Sequence, residues 1–426
     1  MRNFLRYFYL LTLSLVICCS CSKGDDPEPP KPDPDPTVKG HRTVLAYFVA
    51  DNNLERFATS DLLEIEAGLK KSGIDLTKDQ LVVYLDDKGL PRLFKYSLDK
   101  NRNLVADSIP IFDNPEDNKK ELTSTDPEVI SHVIKRVVAK FPAEHYGMIY
   151  WSHGDGWKPS TLKYAQRSLN PLSHVGADQN NGKELSSKRT DIPDLSKALG
   201  SFPKKLDFLF FDACFMLSME TAWDLRDHTE CIIGSPTETP GPGAPYDHVM
   251  VSMLSSSDFS ANSFSEIYFN YYNAMYNGGS GSTDDHWTAG VSIGVIKTDA
   301  LEDLARFCAL LARDGDRLQD TGKPQALDYD KRRGTYVGYF DMVGLYEHMI
   351  KSAADYTEWL SLYNKAVPYF KTTPKNYSST VDMFDMTGAH GASVYYPSTS
   401  YSAMSLNSAY RKTSWYEAAG LSCLGW

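Results

Sequence analysis

The first half of the chain alternates short apolar runs with amphipathic stretches. Apolar positions spaced three and four residues apart predict helices at 54–71, 127–141, 191–202 and 216–228. Near-continuous apolar runs predict strands buried on both faces at 44–50, 81–85, 146–151, 206–211 and 231–234. Strands that alternate with helices are typical of parallel sheets joined by helical crossovers. We therefore expect an open, mostly parallel α/β sheet with helices on both faces over residues 40–240.

The second half of the chain has a more helical pattern. The same spacing rule predicts helices at 263–277, 299–318, 340–352 and 356–370. Two further apolar runs, 289–296 and 392–396, predict strands that either extend the first sheet or form a second one. We therefore divide the body into an α/β core at 40–250 and a mixed, helix-rich region at 251–426.

The N-terminus has the pattern of a secretory signal. Arg2 and Arg6 precede an apolar run at 8–18 that is too short to span a bilayer comfortably. A small residue directly precedes Cys21, as in the cleavage site of bacterial lipoproteins, so we expect residues 1–20 to be removed and Cys21 to carry lipid. The alternative is an ordinary signal peptide with unrelated cysteines.

A proline-rich segment separates Cys21 from the body. Six of the ten residues at 27–36 are Pro, which favours extended polyproline II structure. At about 3.1 Å per residue, the segment at 21–39 would reach roughly 50 Å between Cys21 and Val38. We therefore expect a stalk that holds the folded body away from the outer membrane, facing the cell surface or the periplasm, with the lipid as the sole membrane contact.

Charge and cysteine usage exclude some functions. The 426 residues carry a formal charge of −11, so binding to nucleic acid through phosphate neutralisation is not expected. The one Cys-x-x-Cys pair, Cys18 with Cys21, would be split by signal cleavage, which argues against a zinc site. Asp51, which precedes two Asn residues, and the pair Asp86 and Asp87 could supply oxygen ligands to calcium, although Asp after a strand also caps turns. The sequence leaves the metal question open.

A His and a Cys follow two of the predicted strands. His153 comes after the strand at 146–151, and Cys214 comes after the strand at 206–211. Ligands of open α/β sheets bind beyond the carboxyl ends of the strands, where these side chains would meet if their strands are neighbours. A thiol and an imidazole are suited to nucleophilic catalysis, and the predicted helix after Cys214 would lower the pKa of its thiol. The alternative is a buried, inert Cys.

The blocks around His153 and Cys214 resemble the clostripain-like cysteine peptidases, in the clan that includes caspases and gingipains. The matching blocks are Ser152-His153-Gly154-Asp155-Gly156-Trp157 and Asp212-Ala213-Cys214-Phe215. Further similar segments occur in the family's order at 46–54, 141–151, 235–246 and 391–397. The short sequence after Cys21 also resembles the acidic export tag of Bacteroidetes surface lipoproteins.

The resemblance implies a caspase-like fold and hydrolysis of peptide bonds after Arg or Lys. Cys214 would be the nucleophile and His153 the general acid, and the amides of Gly154 and Cys214 would form the oxyanion hole. Asp212 would lie at the base of the S1 pocket and select a cationic side chain, or else cap the helix after Cys214. Some members of the family respond to calcium, but the chemistry itself requires no cofactor.

Two further expectations follow from the resemblance. Family members often cut themselves between the His and the Cys, so we expect any maturation cut within 158–189, which contains Arg167 and Lys183 in polar sequence. We expect a monomeric endopeptidase at the cell envelope. The alternative is a catalytically inactive surface lipoprotein of the same fold that acts as a binding module, which Phe215 after the Cys and the stretch at 239–243 would favour.

Overall fold

The computed structural model describes residues 40–71, 73–160, 175–182, 188–254, 259–331 and 338–426. The predictions for the signal at 1–20, for Cys21 and for the stalk at 21–39 lie outside the described residues. So do Arg167 and Lys183 of the expected maturation segment.

The described residues form β-strands and α-helices in the following order along the chain. The strands are β1 (Gly40–Val49), β2 (Asp79–Asp86), β3 (Arg92–Leu98), β4 (Leu104–Ile109), β5 (Ala143–Trp151), β6 (Val175–Asp178), β7 (Lys188–Thr190), β8 (Phe208–Asp212), β9 (Cys231–Gly234), β10 (Ser292–Lys297), β11 (Tyr339–Asp341), β12 (Tyr369–Thr372), β13 (Lys375–Ser378), β14 (Asp382–Asp385) and β15 (Ser393–Tyr395). The helices are α1 (Glu55–Leu69), α2 (Pro127–Lys140), α3 (Ile192–Leu199), α4 (Met219–Leu225), α5 (Tyr246–Leu254), α6 (Ala261–Met275), α7 (Leu301–Ala312), α8 (Met342–Met349), α9 (Ala353–Ala366), α10 (Met404–Tyr410) and α11 (Ser414–Ala418).

One large sheet organises the fold. Its strand order is β12-β10-β9-β8-β5-β1-β2-β3-β4. The central strands from β9 to β2 pair in parallel, and the pairs at both edges are antiparallel. The predicted α/β class with a mostly parallel sheet is confirmed. The sheet is wider than the sequence indicated, because the β3–β4 hairpin extends one edge and β10 and β12 extend the other.

The two strands predicted in the second half of the chain belong to different sheets. The run at 289–296 becomes β10 and joins the large sheet next to β9. The run at 392–396 becomes β15, which pairs with β11 in a separate two-stranded sheet.

Helices cover both faces of the sheet. Alternate residues of β1 face opposite cores: Leu45 and Tyr47 pack with α2, α3 and α4, whereas Val44 and Ala46 pack with α1, α5 and α6. This burial on both sides explains why the central strands read as continuous apolar runs. Within the described ranges, no helix is long and apolar enough to cross a membrane.

The helix after Cys214 begins later than its pattern indicated. The helix expected from 216 begins at Met219, because the Ser218 side chain caps it by accepting a hydrogen bond from the Thr221 amide at 3.2 Å. By contrast, α2 begins as predicted at Pro127, behind the N-cap Asp126. The later start of α4 matters for the chemistry of Cys214.

Candidate active site

A cavity of about 610 Å³ opens at the carboxyl ends of the central strands. Loops that follow β1, β5, β8 and β9 line it, together with the β13–β14 hairpin. His153, Gly154, Asp212 and Cys214, the residues singled out from the sequence, all line this cavity. It lies where the open α/β architecture places ligands.

Strand register brings His153 and Cys214 to the same place. β5 and β8 are parallel neighbours, and Trp151 lies opposite Asp212. His153 and Cys214 each follow these paired residues by two positions, so they leave adjacent strand ends at the same level. The sequence pattern predicted the two strand ends but not that the strands are neighbours.

Gly154 allows the two loops to touch. A Cβ atom at this position would lie 2.6 Å from the Cys214 carbonyl oxygen and 2.9 Å from the Ala213 Cβ. Backbone atoms such as this carbonyl oxygen cannot move without a cost in free energy, so a side chain at position 154 would push the two loops apart. Among the described residues, neither the Gly154 amide nor the Cys214 amide donates a hydrogen bond, which leaves both available to a ligand.

His153 and Cys214 are both uncharged at neutral pH. Burial, with a smaller contribution from the charge of Arg189, lowers the pKa of His153 to about 4. Burial and the charge of Glu238 raise the pKa of the Cys214 thiol to about 12. In the described part of the chain His153 bonds through Nε2 to Asn53 Oδ1 at 2.7 Å, not to Cys214. The resting pair is a thiol and a neutral imidazole.

The expectation that a helix N-terminus lowers the pKa of Cys214 is wrong. α4 begins at Met219, five positions after Cys214, and Ser218 occupies its cap. The segment between them is not helical; Phe215 has a left-handed φ of 60°. Burial is therefore the largest influence on the pKa of the Cys214 thiol, and it raises that pKa.

Asp212 is a buried residue of the cavity lining, and the lining around it is called the floor below. Its Oδ2 accepts hydrogen bonds from the Ala244 amide and the Tyr246 hydroxyl, both at 2.9 Å. Burial raises the pKa of Asp212 to about 6, although both hydrogen bonds act to lower it. Asp212 is therefore ionised at neutral pH. The alternative role as cap of the helix after Cys214 is wrong, because Ser218 performs it.

A second buried carboxylate, Asp61 of α1, was missed from the sequence. Its Oδ2 accepts a hydrogen bond from Trp151 Nε1 at 2.6 Å, and its Oδ1 is buried with no hydrogen-bond partner in the described part of the chain. A Cβ at Gly243 would lie 2.6 Å from Asp61 Oδ2 and 2.9 Å from Asp212 Oδ2, so both carboxylates face this glycine. Burial and the charge of Asp212 raise the pKa of Asp61 well above its usual value. Two buried carboxyl groups thus meet at Gly243, and Asp212 is the one of the pair that lines the cavity.

The segment 237–239 holds the nucleophile loop from the other side. The Phe215 amide donates to the Thr237 carbonyl at 3.0 Å. Thr239 contacts Cys214 Sγ through its amide at 3.3 Å and its hydroxyl at 3.4 Å. The Glu238 carboxylate accepts from the amide of Ser379, in the turn after β13, at 3.0 Å. No periodic pattern marks this loop, so its role was not predicted.

The acidic groups considered for calcium are buried or bonded to other residues in this structure. Arg92 holds both carboxylate oxygens of Asp87, and the Asn181 amide binds Asp51. Burial and the charge of Asp178 raise the pKa of Asp86 to about 9, so it is protonated at neutral pH. In the described ranges, no group of three or more His, Cys, Asp or Glu side chains could hold a metal ion.

A thiol, an imidazole, two unengaged amides and an acidic floor in one cavity are the parts of a cysteine-dependent hydrolase. Comparison with known proteins agrees with this class. The profile of the clostripain family, peptidase family C11, matches residues 46–419. The chain therefore belongs to the clostripain family.

Individual relatives come from several bacteria. A secreted C11 cysteine protease from Bacteroides thetaiotaomicron, in complex with an irreversible peptide inhibitor, is 33% identical with a TM-score of 0.76 over 90% of this chain and 99% of that chain. An inactive zymogen C11 protease from Parabacteroides distasonis is 25% identical with a TM-score of 0.69, over the same shares. Clostripain from Hathewaya histolytica is 26% identical over 223 residues, which span 49% of this chain and 41% of that protein.

Proposed function

We propose that this protein is a cysteine endopeptidase that hydrolyses peptide bonds after Arg or Lys. The observation that carries the proposal is the register of β5 and β8, which sets His153 and Cys214 at one level above the Asp212 floor. A peptide would lie in the open cavity with its cationic side chain pointing down towards Asp212.

The reaction would start from the uncharged pair. The Cys214 S–H bond breaks as its sulfur attacks the scissile carbonyl carbon, and the proton passes to His153. The carbonyl oxygen becomes negative and accepts hydrogen bonds from the amides of Gly154 and Cys214, each worth about 3 kcal/mol in sites of this kind. His153 then donates the proton to the leaving nitrogen, and the C–N bond breaks.

Water completes the cycle. His153 takes a proton from a water molecule, the hydroxyl attacks the thioester carbon, and the C–S bond breaks. The carboxylic product leaves, and the proton held by His153 returns to Cys214. No step needs a metal ion, since thiol, imidazole and backbone amides supply all the groups.

The acidic floor is the basis for the proposed specificity. The buried carboxylate of Asp212 attracts a guanidinium or ammonium group and disfavours neutral side chains, which would leave its charge unpaired. Asp61 faces the same glycine as Asp212 but does not line the cavity, so Asp212 is the group proposed to meet the substrate cation.

The test is hydrolysis of fluorogenic peptides that end in Arg, Lys or a neutral residue. We expect turnover of the Arg or Lys reporters by the wild type, and none by Cys214→Ala or His153→Ala. Mass spectrometry should find a peptide chloromethyl ketone ending in Lys on Cys214. A well-folded wild type with neither turnover nor adduct would favour the inactive binding module.

We also propose maturation by self-cleavage within 158–189. Lys158 is buried and paired with Asp155 at 2.7 Å, and Arg189 lines the cavity, so neither is a good target. This leaves Lys163, Arg167, Lys183 and Lys188. Intact mass after incubation of wild type and Cys214→Ala tests the idea; equal fragmentation of both would refute it.

Finally, we propose that lipid on Cys21 anchors the protein at the outer membrane, behind the stalk at 21–39. The sequence pattern supports this, and the Bacteroides thetaiotaomicron relative is described as secreted. Labelling of growing cells with an alkyne fatty acid should mark the wild type but not Cys21→Ser. Equal label on both would contradict the anchor.

A further inference from the structure

Charging the Cys214 sulfur is costly in this cavity. Burial raises the pKa of the thiol, and the charges of Glu238 and Asp155 raise it further. The helix that follows begins too late to help, and His153 is bonded to Asn53. Any group that stabilises the thiolate must therefore come from another loop.

Thr239 is placed to do this. Its amide donates to Cys214 Sγ at 3.3 Å, and its hydroxyl lies 3.4 Å from the same atom. Among the described residues, these are the hydrogen bonds to this sulfur. Both act in the direction that lowers the pKa of the thiol. A hydroxyl can rotate, so it can donate as soon as the sulfur becomes negative.

The loop that carries Thr239 is fixed before any substrate binds. The Thr237 carbonyl accepts from the Phe215 amide at 3.0 Å, which ties this loop to the nucleophile loop. The Ser235 hydroxyl accepts from the Thr237 amide at 3.1 Å. On the far side, Glu238 is bonded to Ser379. Donors held in position cost little reorganisation when charge develops.

We propose that Thr239 is a catalytic residue whose amide and hydroxyl stabilise the Cys214 thiolate. They act as the thiol proton passes to His153, and again when the thioester releases the sulfur. Thr239 neither gains nor loses a proton in either step. This inference rests on the proposed role of Cys214 as nucleophile.

The test compares Thr239→Val with Thr239→Ser. Valine keeps the volume and the amide but removes the hydroxyl, whereas serine keeps the hydroxyl. The rate of Cys214 alkylation by iodoacetamide is measured between about pH 6 and 9, along with kcat/KM for an Arg or Lys reporter. Thr59→Val, an exposed change on α1, is the control for the loss of a hydroxyl elsewhere.

For Thr239→Val, we expect the thiolate fraction at neutral pH to fall about tenfold, as for loss of one hydrogen bond to a charged group. The more basic sulfur is more nucleophilic, so alkylation should slow by about three- to fourfold and its pH profile should move upward. We expect kcat/KM to fall about tenfold and Thr239→Ser to restore both values.

The outcomes separate the two proposals. A wild type that hydrolyses the reporter, with Thr239→Val equal to it at every pH, would overturn the role of Thr239. A folded wild type without hydrolysis would instead defeat the proposed function. Loss of activity in Thr239→Val with an unchanged alkylation profile would also count against thiolate stabilisation. In that case the thiolate fraction would be the same with and without the hydroxyl, and the lost activity would have a structural cause. If Thr239→Val does not fold, the test rests on Thr239→Ser, which keeps the hydroxyl. Its pH profile of Cys214 alkylation must then match that of the wild type, and a clear difference would overturn the proposed role of Thr239.

Discussion

Replacing Asp212 with Asn tests the proposed specificity because it removes a charge and little else. Asn has nearly the same shape and can still accept from the Ala244 amide and the Tyr246 hydroxyl through its oxygen. The substrate cation would lose its buried carboxylate. Removing one partner of such a pair costs about 3–5 kcal/mol, which is about two to three and a half orders of magnitude in kcat/KM.

Asp61 would recover part of this loss. The charge of Asp212 helps to raise the pKa of Asp61, so Asp212→Asn should let Asp61 ionise more readily. Asp61 faces the same glycine but lies behind it, so it would attract a cation only from a greater distance. We therefore expect Asp212→Asn to lose about 100-fold for Arg or Lys reporters, and the double variant with Asp61→Asn to lose roughly tenfold more.

The assay is kcat/KM for matched reporters with Arg, Lys or Gln at the cleaved position, for wild type, both single variants and the double variant. Hydrolysis of the Gln reporter should change little, so the preference for cations should collapse. Alkylation of Cys214 by iodoacetamide controls for an intact site. Unchanged kcat/KM for the cationic reporters in folded Asp212→Asn would refute the reasoning.

Three further predictions follow from other parts of the structure. Gly154→Ala should destabilise the fold by about 1–3 kcal/mol and lower kcat/KM about 100-fold, because its Cβ meets the Cys214 carbonyl and displaces the nucleophile loop. Gly315→Ala should do neither, because a Cβ there meets nothing within 4 Å. Folded Asp86 keeps its proton up to about pH 9 while the unfolded chain releases it near pH 4, so stability should fall as pH rises between these values. Asp86→Asn should flatten this slope in thermal unfolding, and an unchanged slope would contradict the assignment. Activity should survive EDTA, since the proposed steps use only a thiol, an imidazole and backbone amides; loss on chelation that calcium restores would show otherwise.

The central strands were predictable because their burial is simple. Helices cover both faces of β1, so its residues 44–49 are all apolar and the run is unambiguous. The β3–β4 hairpin was missed because only some of its residues are buried and polar residues interrupt both strands. An edge hairpin of this kind has no continuous apolar run to find.

The start of α4 was misplaced for a related reason. Met216 and Leu217 are buried, as helix residues would be, but they lie in non-helical backbone after the left-handed Phe215. Ser218, a preferred N-cap residue, was the signal that could have set the boundary. The error changed the expected pKa of Cys214.

The site was only half predictable. His153, Gly154, Asp212 and Cys214 lie on strand ends, so the sheet rule brings them together. Asp61 lies within the amphipathic pattern of α1, where a carboxylate resembles any solvent-facing residue. Its burial depends on Trp151 and on the loop around Gly243, which are far from it in sequence.

The measurement that tests the account most directly is cleavage-site profiling on a peptide library with wild type and Cys214→Ala side by side. The account predicts that the wild type cuts after Arg or Lys and that Cys214→Ala makes no cuts. Identical cutting by Cys214→Ala, or wild-type cutting without a basic residue before the cleaved bond, would contradict it.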